Sequence, residues 1–215
     1  MPRVIFSPFP LAHHFRQPRQ QQEAAKLGMW LFLVTEILLF GGLFVAYAVY
    51  RHERLPLFAQ ASRLLDVRLG AFNTVVLLAS SLSVALAHRC AQLGRRNGTV
   101  FNLAFTLACG GVFLAVKASE YKHKLHAGLL PGALFADTTV SSPDQAHVFF
   151  SLYFGMTGLH AVHVVLGMVV IAWLLARAMR GCFGPHYTVP LELGGLYWHL
   201  VDVIWIFLFP LLYLV

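Results

Sequence analysis

The stretch GGLYWHLVDVIWIFLFPLLYLV, Gly194–Val215, decides the fold. A helix over it rises about 33 Å, at about 1.5 Å per residue, which is enough to cross the hydrocarbon core of a bilayer. Its two ionisable residues, His199 and Asp202, are three apart and share one helix face with Gly195. An aspartate at the centre of a membrane helix costs about 2.5–3.5 kcal/mol on insertion scales, so that face belongs against protein and not lipid. The spacing also leads us to expect Asp202 to partner His199.

The same pattern recurs toward the N-terminus. Apolar spans are expected over residues 27–50, 69–88, 100–121, 146–176 and 194–215, each carrying a few polar residues on one face. Composition agrees. The chain is 58% hydrophobic and 12% charged, and its mean hydropathy is +0.68. A soluble domain is nearer 25% charged. The expected fold is an all-α membrane protein, a bundle of five transmembrane helices behind a polar arm over residues 1–26. Nothing in that arm reads as a cleavable signal. The three cysteines, Cys90, Cys109 and Cys182, are scattered and suggest neither a disulfide framework nor a zinc site. A net charge of +7 is read as topology and contact with anionic lipid, not nucleic-acid binding. The arm, second and fourth connections hold nine of the sixteen Lys and Arg, and the first and third hold seven. That bias places the N-terminus inside and the C-terminus outside.

Within the spans, Glu36 is the only ionisable residue of the first. Met29, Phe32, Leu33, Phe40 and Leu43 share its side of the helix. A buried glutamate here serves either as a structural hydrogen-bond partner or in proton-linked function. Ser80, Ser81 and Ser83 in the second span are packing hydroxyls. In the third, Gly110 and Gly111 permit close packing, and Lys117 and Glu120 can pair at i,i+3 near its end. The fourth places His160 and His163 on one face with Thr157 and Gly167. Phe149, Phe150, Tyr153 and Phe154 are read as bulk turned toward lipid or a partner. His13 and His14, in the arm, have no further metal ligand nearby in sequence and read as solvated. Residues 51–68 form a charged connection that has room for a short interfacial helix.

Three functions are compatible with buried Glu36, His160, His163, His199 and Asp202. Carboxylate and imidazole could hold iron or zinc, although no repeated Glu-x-x-His pair marks a di-iron bundle. Polar midplane residues could line an ion or proton path, although no inverted repeat is visible. The same residues could tie helices together in an accessory subunit. No nucleophile elbow, phosphate loop or HExxH is present, and no catalytic residue is assigned.

Five stretches, taken in order, resemble subunit III of the haem–copper respiratory oxidases, in its five-span form. They are GMWLFLVTEILLFGGLF (Gly28–Phe44), NTVVLLASS (Asn73–Ser81), ASEY (Ala118–Tyr121), TGLHAVHVVLG (Thr157–Gly167) and YWHLVDVIW (Tyr197–Trp205). The resemblance implies a non-catalytic subunit of a bacterial inner-membrane complex for aerobic electron transport. Its haem and copper would sit in partner subunits. Oxidase subunit I would be its main contact, with subunit II and other respiratory subunits nearby, and structural phospholipid would lie between helices. Glu36 falls at the family's buried glutamate, linked to proton uptake. His160, His163, His199 and Asp202 fall on its polar helix contacts, and Glu120 lies in the matching ASEY stretch. Trp30, Arg177 and Arg180 are candidates for lipid head groups on charge and interfacial position. The quinol-oxidase branch usually has Asp where Glu36 stands and FWH where Tyr197-Trp198-His199 stand, so this chain leans toward the cytochrome c branch. An accessory protein of nitric oxide reductases shares much of the pattern. A small ion or proton transporter is the alternative of a different class.

Overall fold

A computed structural model describes residues 12, 13, 15–126, 143–185 and 187–214, with backbone alone for 143–147. Residues 1–11, His14, His186, Val215 and most of the third connection lie outside the described residues. The described residues form six helices: α1 (Pro18–Glu53), α2 (Leu55–Ser62), α3 (Val67–Gln92), α4 (Arg96–His126), α5 (Pro143–Met179) and α6 (Val189–Tyr213). All but α2 are long and apolar enough to cross a membrane.

Local signals explain the ends. Pro18 opens α1, at a position where a missing N–H costs nothing. Asp66 caps α3, its carboxylate accepting from the N–H groups of Arg68 at 2.9 Å and Leu69 at 3.2 Å. Gly94 and Gly181 take positive φ, 69° and 74°, just past α3 and α5. There the Arg95 N–H returns to the Cys90 carbonyl and the Cys182 N–H to the Arg177 carbonyl, the glycine-dependent stop of a helix. Helices α1, α3, α4 and α5 each contain and extend the apolar span expected from sequence, because a helix continues into the interface where apolarity ends, and α6 starts before its expected span. The last helix stops within two residues of Val215. Residues 18–26, assigned to the arm, are the first turns of α1, and α2 fills the first connection. Asp66→Ala should lower stability by about 0.5–2 kcal/mol, read as the thermal unfolding midpoint in detergent, and Asp66→Asn should retain most of it.

Helices α3, α4, α5 and α6 close a ring in which α3 and α5 each pack on both α4 and α6. Outside that ring, α1 lies against α6 and α5. Half of the most apolar window of α6 is buried, against 11% of that of α1, so α6 is the central element. Lys26 on α1 pairs with Glu192 at the start of α6 at 2.7 Å, and the Arg96 guanidinium caps the Met179 carbonyl at the end of α5. One rim therefore carries the starts of α1, α4 and α6 and the ends of α3 and α5; we call it the near rim. The opposite, far rim carries α2 and the end of α6.

A tryptophan sets the spacing of the ring. Trp198 on α6 is fully buried, and its Nε1–H donates to Ser80 Oγ on α3 at 3.0 Å. Its ring lies in a slot between Gly167 of α5 and Gly110 of α4. A Cβ added at Gly167 would meet that ring at 2.9 Å, and one at Gly110 would meet it at 3.1 Å. Gly111, by contrast, faces open space, so only one glycine of that pair serves packing among the described residues. The aromatic residues at the start of α5 also correct the sequence reading. Phe149, Phe150 and Tyr153 are fully buried, because α2 folds back and sets Phe58 edge-on against Phe149 at 5.3 Å.

Candidate functional site

Helix α1 is held against α5 at its midpoint by an acid and an imidazole. Glu36 Oε2 lies 2.9 Å from His163 Nε2, with the two side chains 14% and 11% exposed. The opposite ring nitrogen, Nδ1, lies 2.8 Å from the Leu159 carbonyl. A carbonyl only accepts, so Nδ1 carries a hydrogen. Nε2 then either accepts a proton from the glutamic acid or, as imidazolium, donates to the carboxylate. In both forms one proton lies between the groups and the pair is net neutral. That suits a low-dielectric surrounding, where an unpaired charge is costly. Around the pair, Phe40 sets its edge against the His163 ring at 5.2 Å. The Tyr197 hydroxyl donates to the His163 carbonyl at 3.1 Å, and Phe32 stacks on Tyr197. Of the apolar residues expected beside Glu36, Leu33 and Phe40 are buried and Met29 and Leu43 pack on the core, while Phe32 is exposed at the edge of the bundle.

A second polar centre lies toward the far rim. Glu120 accepts from Lys117 Nζ at 2.9 Å, Lys124 Nζ at 3.1 Å, the Tyr153 hydroxyl at 3.0 Å and the Tyr213 hydroxyl at 2.7 Å. All five side chains are buried. The Lys117 ammonium also lies 4.8 Å from the Trp205 ring centre, 5.1 Å from that of Tyr213 and 5.4 Å from that of Tyr153, a cage of π-faces that suits a cation. The expected Lys117–Glu120 pair is present but fully enclosed, and it joins α4, α5 and α6. Lys124, Tyr153 and Tyr213 were missed. Their signal is in the sequence, since Lys117, Glu120 and Lys124 are spaced three and four apart on one helix face. The expected apolar span ends before Lys124, and α4 continues past it.

The remaining candidates separate. His199 Nδ1 lies 2.6 Å from Ser81 Oγ on α3. The expected His199–Asp202 partnership is not formed, because the His199 ring turns to the neighbouring helix and the shorter Asp202 stays in the ring interior. Asp202 is 2% exposed, and neither of its carboxyl oxygens has a hydrogen-bond partner among the described residues. His160 is fully buried and stacks on Trp205 at 5.5 Å. Thr157 donates its hydroxyl to the Tyr153 carbonyl and so accepts from the Tyr121 hydroxyl. Trp30 is exposed near the start of α1. The Arg177 guanidinium lies 5.0 Å over the Trp173 ring and 6.0 Å over Phe183, and Arg180 is exposed beyond it. All three sit toward the near rim.

Among the described residues the polar side chains do not converge on a metal site. His163 has both nitrogens engaged by Leu159 and Glu36. Among the described residues no three His, Cys, Asp or Glu side chains converge as ligands.

Comparison with known proteins gives a consistent result. A family model described as cytochrome c oxidase subunit III matches residues 12–215. Cytochrome c oxidase subunit 3 of Thermostichus vulcanus is 31% identical over 191 residues, covering 87% of this chain and 86% of that protein. Quinol oxidase subunit 3 of Bacillus subtilis is 31% identical over 192 residues, covering 87% and 85%. A haem–copper oxidase subunit I+III of Aeropyrum pernix is 30% identical over 208 residues, covering 94% of this chain and 24% of that longer protein. With the family model matched across all five spans and the Thermostichus vulcanus and Bacillus subtilis relatives matched along most of their length, the chain belongs to the cytochrome c oxidase subunit III family.

Proposed function

We propose that this chain is the non-catalytic third subunit of a terminal oxidase of the cytochrome c branch in a bacterial inner membrane. Haem and copper would reside in partner subunits, and this chain would support proton uptake and the stability of the complex. The observation that carries the reading is how its polar residues are used. Glu36 engages His163 on α5, Glu120 engages two lysines of its own helix and one tyrosine from each of α5 and α6, and His199 engages Ser81 on α3. Those contacts suit a subunit that grips its own helices and presents one shared proton at mid-membrane. Subunit I is proposed as the main contact. Support comes from the name of the Aeropyrum pernix relative, which joins I and III. Glu36 and Tyr197-Trp198-His199 favour the cytochrome c branch; overall identity is the same to a cytochrome c oxidase subunit and to a quinol oxidase subunit. Trp30, Arg177 and Arg180 are proposed to meet phospholipid head groups at the near rim.

The near rim is proposed to face the cytoplasm. Of the seven far-side cations, Lys117 and Lys124 are buried against Glu120. Five remain for the head groups, against nine on the near side, which sharpens the positive-inside bias.

Extraction in mild detergent tests the assignment. The expected result is copurification with a haem-bearing subunit I of an oxidase. Recovery with the large subunit of a nitric oxide reductase, or proton flux by the chain reconstituted alone, would overturn it. Glu36→Gln tests the proton role. An amide N–H can replace the acid as donor to His163 Nε2, so assembly should persist. The shared proton is lost, so the pH profile of turnover should shift. A profile matching the parent at every pH would make Glu36 structural only.

A further inference from the structure

We propose that the four-helix ring encloses a small cluster of ordered water against Asp202, His160 and Asn73. These side chains are 2%, 0% and 1% exposed. Five of their polar atoms have no hydrogen-bond partner among the described residues: both carboxyl oxygens of Asp202, both ring nitrogens of His160, and Oδ1 of Asn73. His160 and Asn73 border Phe113, which packs edge to face with Trp205 at 4.9 Å. His160 stacks on Trp205 and meets the edge of Phe113 at 5.6 Å. The Asn73 amide donates to the Phe113 carbonyl at 3.5 Å. Asp202 lies one helical turn before Trp205, with Cys109 and Ser81 beside it. The Ser81 hydroxyl is engaged with His199.

The chemistry of these atoms selects the ligand. A neutral imidazole offers one donor and one acceptor, the amide oxygen an acceptor, and a carboxylic acid one of each. Water supplies both roles, and buried water is found where several polar groups lack protein partners. An apolar guest would leave all five atoms unpaired. An anion would find no cation bonded at Asp202, and a lone carboxylate there would lack compensation. Asp202 is therefore held as the neutral acid, hydrogen-bonded to water. The inference does not depend on the oxidase assignment. Its consequence is that protons on Asp202 and His160 exchange with the medium although bulk solvent touches neither.

Two measurements on the intact, copurified complex test it. In infrared spectroscopy, the carboxylic C=O band removed by Asp202→Asn should shift promptly on transfer to D₂O. In X-ray hydroxyl-radical footprinting, which generates radicals from bound water, Trp205 and Phe113 of the unsubstituted protein should oxidise several-fold faster than Phe58 and Phe149. Those two are equally buried but lie at the contact of α2 with α5, away from the three side chains. A dry ring would leave all four aromatics equally protected and the band slow to exchange. An ionised Asp202 would show no such band. Either result would overturn the proposal. The footprinting arm needs no substitution, so it stands even where Asp202→Asn disturbs assembly.

Discussion

Glu120→Ala should cost about 3–5 kcal/mol, the largest loss expected of a single substitution in this chain, because it strands two buried ammonium groups. Lys117 and Lys124 would lose their shared carboxylate, and the Tyr153 and Tyr213 hydroxyls would lose their acceptor. Nothing in the cage of Lys117 substitutes for it, since aromatic faces attract a cation but do not neutralise it. The effect should appear as a lowered thermal midpoint in detergent, followed with a thiol-reactive dye that reports the release of buried Cys109. The contrasting experiment removes the charges together. Replacing a whole buried ionic set with apolar residues is often far milder than deleting one member. Lys117→Met, Glu120→Leu and Lys124→Met combined should therefore recover much of what Glu120→Ala loses. If the triple replacement were as damaging as Glu120→Ala alone, the cluster would matter for its shape and not for its charge balance.

Gly167→Ala is the second large effect. One methyl group would enter the slot of Trp198 at 2.9 Å from the ring, and the same side would meet Tyr197 at 3.2 Å. The tryptophan cannot step back, because Gly110 of α4 closes the other side and Ser80 holds its indole nitrogen. Overpacking of this kind costs about 1–3 kcal/mol, and here it also pries α5 from α6. Gly155→Ala, on the same helix but facing open space, should be neutral or slightly stabilising, since alanine favours a helix by about 1 kcal/mol over glycine. Equal thermal midpoints for the two variants would show that the slot is not tight.

Fold class and span number were legible because lipid imposes them: only continuous apolar helices satisfy their backbone there. The polar faces were legible for the same reason. Partner choice was not. His163 finds Glu36 at 127 residues' separation, and no local spacing encodes that. His199 and Asp202 share a face, yet they do not bond: His199 meets Ser81, and Asp202 has no hydrogen-bond partner among the described residues. The aromatic run at Phe149 reads as lipid-facing until α2 is known to fold over it. Lys124 was lost to a boundary drawn where apolarity faded, several residues before α4 ended.

The 127-residue gap between Glu36 and His163 also has a meaning in time. Helix α1 leaves the ribosome before α5, and its acid has to wait for that helix. At about 5–20 residues per second the wait is roughly 6–25 s, spent with a carboxyl group in the bilayer and no imidazole to meet it. Helix α1 is thus made well before the partner that fastens it. A lesion at His163 would be felt first as a biogenesis defect, with young chains cleared by quality-control proteases before any oxidase is built.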